Sequence, residues 1–188
     1  MLKIAIVDGV ANSIADRVRD KIRAVPDFPS KGILFRDITP VLLDHELTRE
    51  SVSLLADPFR HLEIDYVVGI ESRGFIFGVL LAQELKAGFA MVRKAGKLPC
   101  ETISANYDLE YGSATIEMHR DDIRPGSRVL IHDDLLATGG TAKAASALIG
   151  QSGSQVAGFS FLVELKSLGG REQLRGESVV IASLIEYE

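Results

Sequence analysis

The sequence is poor in cysteine and has no long apolar segment. Cys100 is its single cysteine, which excludes an internal disulfide framework and favours a reducing compartment. No apolar run approaches the roughly 18 residues that a membrane-spanning helix needs. The first ten residues are apolar only in short pieces, broken by Lys3 and Asp8, and are too short for a secretory signal. We therefore expect a cytoplasmic protein.

An excess of positive charge is also missing. The 21 Lys and Arg residues are outnumbered by 26 Asp and Glu, which gives a net charge of -5. This balance argues against a general nucleic-acid-binding protein, so any anionic ligand must be held by a local site. The sequence has no internal repeat, low-complexity tract or change in composition. We therefore predict a single domain over residues 1–188.

Short apolar runs alternate with helical patterns along most of the chain. Helices are predicted at about 14–22, 46–62 with a break at Pro58, 74–86 and 141–149. Strands are predicted at 66–70, 89–92, 128–131, 156–163 and 179–184. This order predicts an α/β fold with a mainly parallel sheet that helices cover on both faces.

The alternation lapses between Lys94 and Arg124. Residues 113–119 alternate between polar and apolar and predict one half of an antiparallel pair. Residues 94–112 form a long polar stretch that contains Gly96 and Pro99. A stretch of this length in a compact domain predicts a functional lid or a disordered loop.

The clearest local pattern is VLIHDDLLATGGTAKAA, residues 129–145. An apolar strand ends in Asp133 and Asp134, and a short turn leads into a helix at Thr141. A Thr-Gly-Gly-Thr turn at a helix N-terminus offers main-chain N–H groups, two hydroxyls and the positive end of the helix dipole, which together favour a phosphate. Two neighbouring carboxylates suit the 2′ and 3′ hydroxyls of a ribose 5-phosphate.

This pattern has two other interpretations. The turn lacks a GK[ST] ending, so it is not the phosphate loop of nucleoside triphosphatases. Alternatively, Asp134 only caps the turn and the glycines only close it. The strand and the acidic pair before the turn favour a ligand site over this structural role.

A second strand–turn–helix pattern, GIESRGFIFG, follows residues 66–70. Arg73 lies where a bidentate cation can meet a second phosphate group. Arg93, Lys94 and Lys97 follow the next predicted strand and add positive charge near the same edge. The alternative is a solvated basic cluster without a ligand.

These two segments resemble the type I phosphoribosyltransferases, a family that uses phosphoribosyl pyrophosphate (PRPP). The resemblance implies that Asp133 and Asp134 hold the ribose hydroxyls. It also implies a 5′-phosphate loop consisting of Ala137, Thr138, Gly139, Gly140 and Thr141. The pyrophosphate loop would contain Ser72 and Arg73, with a cis peptide bond at Glu71–Ser72, and Arg93, Lys94 and Lys97 would assist it.

The base is indicated by a third segment. Residues 26–42, PDFPSKGILFRDITPVL, resemble the N-terminal signature of the adenine-specific members of the family. The resemblance implies an N-terminal hood at about residues 1–45, in which Phe35 stacks on adenine. The main chain at Leu34 and Arg36 would contact the edge of the base. The alternative is that Phe35 is a core residue.

The segment KLPCETISANYDLEYG, residues 97–112, resembles the catalytic flexible loop of the same group. The resemblance implies that Glu110 handles the purine proton and that Tyr111 supports the loop. Enzymes of the family that act on 6-oxopurines carry an aspartate where this chain has Ala137. That difference favours adenine over hypoxanthine or xanthine. It also assigns the transfer of the purine proton to Glu110.

The resemblance extends over about residues 22–187, including FLVELKSLGGREQL near the C-terminus. It implies an enzyme of purine salvage that converts adenine and PRPP to AMP and pyrophosphate, with Mg²⁺ held mainly by the substrate. It also implies a homodimer in which Arg93 reaches the partner's site. The alternatives are a regulator that only senses nucleotides and a dehydrogenase. The chain has no added DNA-binding segment, and it lacks G-x-G-x-x-G after any strand.

Overall fold

The structure, a computed structural model, describes residues 10–108, 113–177 and 180–188. Its contacts divide the chain between Leu54 and Leu55 into two units, and each is described by itself. The hood predicted at about residues 1–45 falls within the first unit. The prediction of one domain remains a prediction.

The first unit combines short helices with a two-stranded antiparallel sheet. Its elements are α1 (Val10–Lys21), β1 (Arg23–Pro26), β2 (Leu34–Asp37), α2 (Thr39–Leu42) and the start of α3 (His45–Ala56). The Asp44 carboxylate begins α3 by accepting a hydrogen bond from the Leu47 N–H at 3.1 Å, as N-cap aspartates do. A 3₁₀ turn over Asp57–Phe59 follows α3 and contains Pro58, which confirms the predicted break.

In the second unit, seven described strands form one sheet in the order β5-β6-β4-β3-β7-β8-β9. The strands are β3 (Tyr66–Ile70), β4 (Gly88–Lys94), β5 (Thr102–Asp108), β6 (Ser113–His119), β7 (Arg128–Leu136), β8 (Gln155–Leu165) and β9 (Val180–Tyr187). The neighbours from β4 through β9 are parallel, and β6 pairs antiparallel with both β4 and β5. The predicted mainly parallel sheet is confirmed.

Helices α4 (Gly74–Leu85), α5 (Gly140–Gln151) and α6 (Gly170–Leu174) complete the second unit. Helix α4 packs on β3, β4 and β7, and α5 packs on β5, β7 and β8. The central strands are buried along most of their length, as expected for a sheet with both faces covered. Among the described residues, no helix is both long and apolar enough to span a membrane.

Two predictions about the strands need correction. Residues 102–108 form β5, which is paired with β6 along its whole length, so the predicted loop over 94–112 is wrong there. The strand predicted at 128–131 continues to Leu136, because β8 pairs with it as far as the Leu136–Glu164 register. Asp133 and Asp134 therefore lie within a strand and not after it.

Candidate active site

The turn between β7 and α5 has the geometry of a phosphate site. Gly139 precedes α5 with φ +84°, a conformation that favours glycine. The first N–H groups of a helix have no partner within it, and the dipole adds positive character there. A small cavity of about 70 Å³ lies at this turn, lined by Asp133, Leu135, Leu136, Ala137, Thr138, Gly139, Gly140, Thr141 and Ala142. Its size suits one phosphate group and not a whole nucleotide.

The back of the phosphate turn packs directly on α6. A Cβ added to Gly139 would lie 2.7 Å from the Gly170 carbonyl oxygen, and a Cβ on Gly170 would collide with the Ala137 carbonyl oxygen. The two chain segments approach this closely only because both residues are glycines. Gly170 was not among the predicted site residues, although the GG pair in LKSLGGREQL marks its position.

Helix α6 is anchored by an arginine that follows Gly170. Arg171 donates to Glu164 at the end of β8, and its Nη1 donates to the Ile181 carbonyl oxygen at 2.9 Å. Ser183 also donates to Glu164, at 2.7 Å. Burial alone would raise the pKa of Glu164, but the hydrogen bonds from Arg171 and Ser183 outweigh it and lower the pKa. The phosphate turn is thus backed by a helix that is tied to two strands.

The acidic pair separates into two environments. Adjacent residues on a strand point to opposite faces, and here Asp133 lines the phosphate cavity while Asp134 contacts Arg73. A Cβ on Gly74 would lie 2.9 Å from Asp133 Oδ1, so the N-terminus of α4 approaches this carboxylate closely. Burial, and then the charge of Asp134, raise the pKa of Asp133 well above its usual value.

The segment after β3 carries the second candidate phosphate site. The Glu71–Ser72 peptide bond is cis, as the resemblance implied. Arg73 Nε donates to Asp134 Oδ2 at 2.5 Å. This ion pair connects the segment to β7, so the two motifs of the sequence analysis lie side by side.

The Glu71 carboxylate accepts hydrogen bonds from the three remaining candidate basic residues. Lys97 Nζ donates to its Oε1 at 2.5 Å, whereas the Lys94 N–H at 3.0 Å and Arg93 Nε at 3.3 Å donate to Oε2. Burial alone would raise the pKa of Glu71, but these hydrogen bonds, with Lys97 first, lower the pKa to about 2. Lys94 contributes its main chain here, while Arg93 and Lys97 contribute charged side chains.

The candidate base residues lie on β2 of the first unit. Ile33 accepts from the Phe28 N–H at 3.3 Å, and Leu34 and Arg36 are paired in register with Pro26 and Ala24. Main-chain direction alternates along a strand. Because Ile33 directs its carbonyl toward the β1 side, the N–H and C=O groups of Leu34 and Arg36 point away from β1. Pro26 has no N–H, which agrees with this alternation.

Phe35 is half-buried and is not among the buried core residues. The Phe28 ring contacts it edge-on, with 5.1 Å between ring centroids. This placement disfavours the alternative that Phe35 only fills the core.

A second, broader cavity of about 790 Å³ adjoins the phosphate turn through Thr138. Its other lining residues are Lys143, Leu168, Gly169, Glu172, Gln173 and Gly176. Among these, Leu168 is 48% exposed. Leu168 was not among the predicted site residues, since one leucine in a polar segment carries no periodic signal.

Two predicted residues, Glu110 and Tyr111, lie outside the described residues. Among the described residues, no three His, Cys, Asp or Glu side chains gather in a group that could hold a metal ion. Asp133 lines the phosphate cavity, and its neighbour Asp134 pairs with Arg73. Such a pair fits Mg²⁺, which typically binds through one or two carboxylates together with substrate phosphates.

Comparisons with known proteins agree with this geometry. A model of the phosphoribosyl transferase domain matches residues 42–182. The chain therefore belongs to the phosphoribosyltransferase family, and the type I fold predicted from the sequence is confirmed.

Within that family the chain is similar to adenine phosphoribosyltransferases. It is 51% identical to the adenine phosphoribosyltransferase of Lachnoclostridium phytofermentans over 91% of this chain and 97% of that protein. The crystal structure of adenine phosphoribosyltransferase from Rhodothermus marinus matches with a TM-score of 0.90 and 51% identity, covering 94% of this chain and 99% of the other.

A third match carries ligands. The adenine phosphoribosyltransferase of Saccharomyces cerevisiae, crystallised with an imino-altritol bisphosphate and adenine, has a TM-score of 0.85 and 41% identity. The match covers 92% of this chain and 99% of the yeast chain.

Proposed function

We propose that this chain is an adenine phosphoribosyltransferase that converts adenine and PRPP to AMP and pyrophosphate in purine salvage. One observation carries the proposal. Contacts link the phosphate turn, Asp133, Asp134 and Arg73, and Glu71, two residues before Arg73 in the chain, pairs with the cations Arg93 and Lys97. This order of groups suits a ligand with a phosphate at each end and hydroxyls between them.

PRPP binds along this series of groups. Its 5′-phosphate enters the turn at residues 137–141, where main-chain N–H groups and the Thr138 and Thr141 hydroxyls donate. The ribose hydroxyls donate to Asp133 and Asp134. The pyrophosphate accepts from Ser72 and Arg73, and from the cations Arg93, Lys94 and Lys97.

Adenine binds on β2. Phe35 stacks on the ring, and the outward main-chain groups of Leu34 and Arg36 contact the edge of the base. The adenine 6-amino group donates to a carbonyl oxygen, and N1 accepts from an N–H. A 6-oxopurine presents the opposite pattern at these two positions.

In the reaction, adenine N9 attacks C1′ as the bond from C1′ to the pyrophosphate oxygen breaks. Arg73 stabilises the negative charge that develops on the leaving pyrophosphate. Bound Mg²⁺, held by substrate oxygens and the acidic pair, would further neutralise this charge. The N9 proton passes to the Glu110 carboxylate. Residues around Glu110 and Tyr111 exclude water that would otherwise hydrolyse the activated sugar.

A base panel tests the proposal. The enzyme is supplied with PRPP and adenine, hypoxanthine, guanine or xanthine, and pyrophosphate release is followed. We expect kcat/KM for adenine to exceed that for each other base by about 10⁴-fold, since a site built for a donor leaves its own groups unpaired with an acceptor. Comparable kcat/KM for hypoxanthine would refute the choice of base.

We further propose a homodimer formed through α4. Ile76, Val79 and Leu80 share one helix face by their spacing, and they are 42%, 43% and 38% exposed. The opposite face of α4 packs on the sheet, so the helix is apolar on both faces over residues 74–82, as helices with two covered faces are. A second copy of the chain covers this exposed apolar face.

The cytoplasmic location expected from the sequence remains a prediction.

A further inference from the structure

The segment that carries Lys97 is held by one strand of the sheet. We name residues 95–101 the Lys97 loop. The Ala95 N–H donates to the Thr115 carbonyl oxygen at 3.0 Å, and His119 Nε2 lies 2.8 Å from the Pro99 carbonyl oxygen. Both partners belong to β6, so this strand contacts the loop near each of its ends.

Between these contacts, Glu117 of β6 holds the centre of the loop. Its Oε1 accepts from the Lys97 N–H at 3.1 Å and from the Leu98 N–H at 3.0 Å. Thr102 Oγ1 lies 3.5 Å from its Oε2. Glu117 is only 7% exposed, and a buried carboxylate is stabilised when several donors converge on it.

Main-chain hydrogen bonds stabilise the negative charge on Glu117. Burial alone would raise its pKa, but hydrogen bonds from the N–H groups of Leu98, Gly96 and Lys97 outweigh burial and lower the pKa. Three consecutive main-chain donors therefore face one carboxylate. These donors match an ionised side chain at position 117.

Glu117 also lies beside the other cation. It is paired in register with Arg93 on β4, and Arg93 Nη1 donates to the Lys97 carbonyl oxygen at 3.0 Å. The Lys97 side chain then extends to Glu71 at the pyrophosphate segment. Glu117 thus holds the main chain of the residue whose ammonium group reaches the site.

We propose that Glu117 is a positioning residue that holds the Lys97 loop so that Lys97 can bind the pyrophosphate of PRPP. This inference deepens the proposed function and rests on it. Glu117 itself touches no substrate, and its effect passes through Lys97.

The first test is a measurement that needs no activity. In Glu117→Gln the side chain loses the negative charge that strengthens its hydrogen bonds, and its NH2 group cannot accept from an N–H. Hydrogen exchange at the Lys97 and Leu98 amides is expected to accelerate in the variant. Glu101→Gln is the matched control, because Glu101 is an exposed glutamate of the same loop that pairs with Arg120. Unchanged exchange at both amides in Glu117→Gln would overturn the inference.

The second test is a double-mutant cycle. Glu117→Gln and Lys97→Ala are each expected to raise KM for PRPP about tenfold, with a smaller change in kcat and in KM for adenine. The double variant should be no worse than Lys97→Ala alone, because Glu117 acts through Lys97. If Glu117→Gln does not fold, Glu117→Asp replaces it with the same expected direction.

The outcomes separate the two proposals. If the two effects on KM multiply, Glu117 acts independently of Lys97, and the inference is wrong while the proposed function stands. If Lys97→Ala leaves KM for PRPP unchanged, the pyrophosphate role of Lys97 and this inference fall together. Conversion of hypoxanthine in place of adenine would contradict the proposed function alone.

Discussion

At the scale of single residues, carboxylates pair with three of the four cations that we assign to pyrophosphate. Arg73 is paired with Asp134, and Lys97 and Arg93 are paired with Glu71. Substrate binding then exchanges one anionic partner for another and does not bring uncompensated cations together. This arrangement explains how a chain with a net charge of -5 can hold a highly charged anion at a local site.

Glu71 gives a prediction about pH. Its pKa is held at about 2, below the ordinary 4.5. The ionised carboxylate therefore stabilises the fold above about pH 4.5, and this contribution is lost as the pH falls toward 2. Glu71→Gln should lower the free energy of unfolding more at about pH 7 than at about pH 3, as measured by urea denaturation.

The exposed Glu101 provides the comparison for this experiment. Its side chain is 83% exposed and pairs with Arg120 at the surface, so Glu101→Gln should change stability little at either pH. A difference between wild type and Glu71→Gln that stays constant over the whole pH range would show that the ion pairs around Glu71 do not stabilise the fold.

At the scale of elements, the contact between the phosphate turn and α6 can be tested by adding one methyl group. In Gly170→Ala, the new Cβ would collide with the Ala137 carbonyl oxygen. The turn must shift, so KM for PRPP should rise by about tenfold or more, which corresponds to at least about 1.4 kcal/mol of lost binding. The melting temperature should also fall.

Gly176→Ala is the matched control for that substitution. Gly176 lines the broader cavity beside the phosphate turn. The substitution adds the same methyl group there, and no atom lies within 4 Å of the new Cβ. Its KM for PRPP is expected to remain close to that of wild type. Equal values of KM for Gly170→Ala and Gly176→Ala would mean that the turn does not depend on α6.

The elements also show what the sequence can and cannot predict. Strand β3, helix α4 and the phosphate turn were predicted because their signals are local: apolar runs, turn residues and helix starts within about ten residues. Strand β1 was missed, since four residues that include Pro26 resemble a loop. Strand β5 was missed although Ile103, Ala105 and Tyr107 alternate, and these residues pack against the core.

Local sequence patterns do not predict which residues of the site contact each other. Glu117 and the Lys97 loop are about 20 residues apart, and Arg73 and Asp134 are separated by 61 residues. Only the order of the strands brings these groups together, and several sheet orders are compatible with the same predicted strands. The residue patterns, together with the resemblance, predicted the roles of Asp133 and Arg73, whereas the structure showed the Arg73–Asp134 ion pair.

At the scale of the whole molecule, the proposed homodimer determines which chain completes each site. Within one chain, Arg93 already contacts Glu71 and the Lys97 loop. The resemblance predicts that Arg93 also serves the partner's site. A two-fold dimer contains two equivalent sites, so each site would then take Glu110 from one subunit and Arg93 from the other.

Mixing inactive subunits distinguishes the two arrangements. In a heterodimer of Arg93→Ala and Glu110→Gln subunits, the first subunit keeps its own Glu110 and receives an intact Arg93 from its partner. One site of the two is then complete, so an equal, randomly assembled mixture should recover about a quarter of wild-type activity.

The doubly substituted chain mixed with wild type gives the opposite pattern. Its heterodimers are inactive if Arg93 acts in the partner's site, and half active if Arg93 acts in its own site. Heterodimers isolated with two different affinity tags and assayed for AMP formation provide the measurement. Inactive heterodimers in the first mixture, together with half-active ones in the second, would assign Arg93 and Glu110 to the same chain.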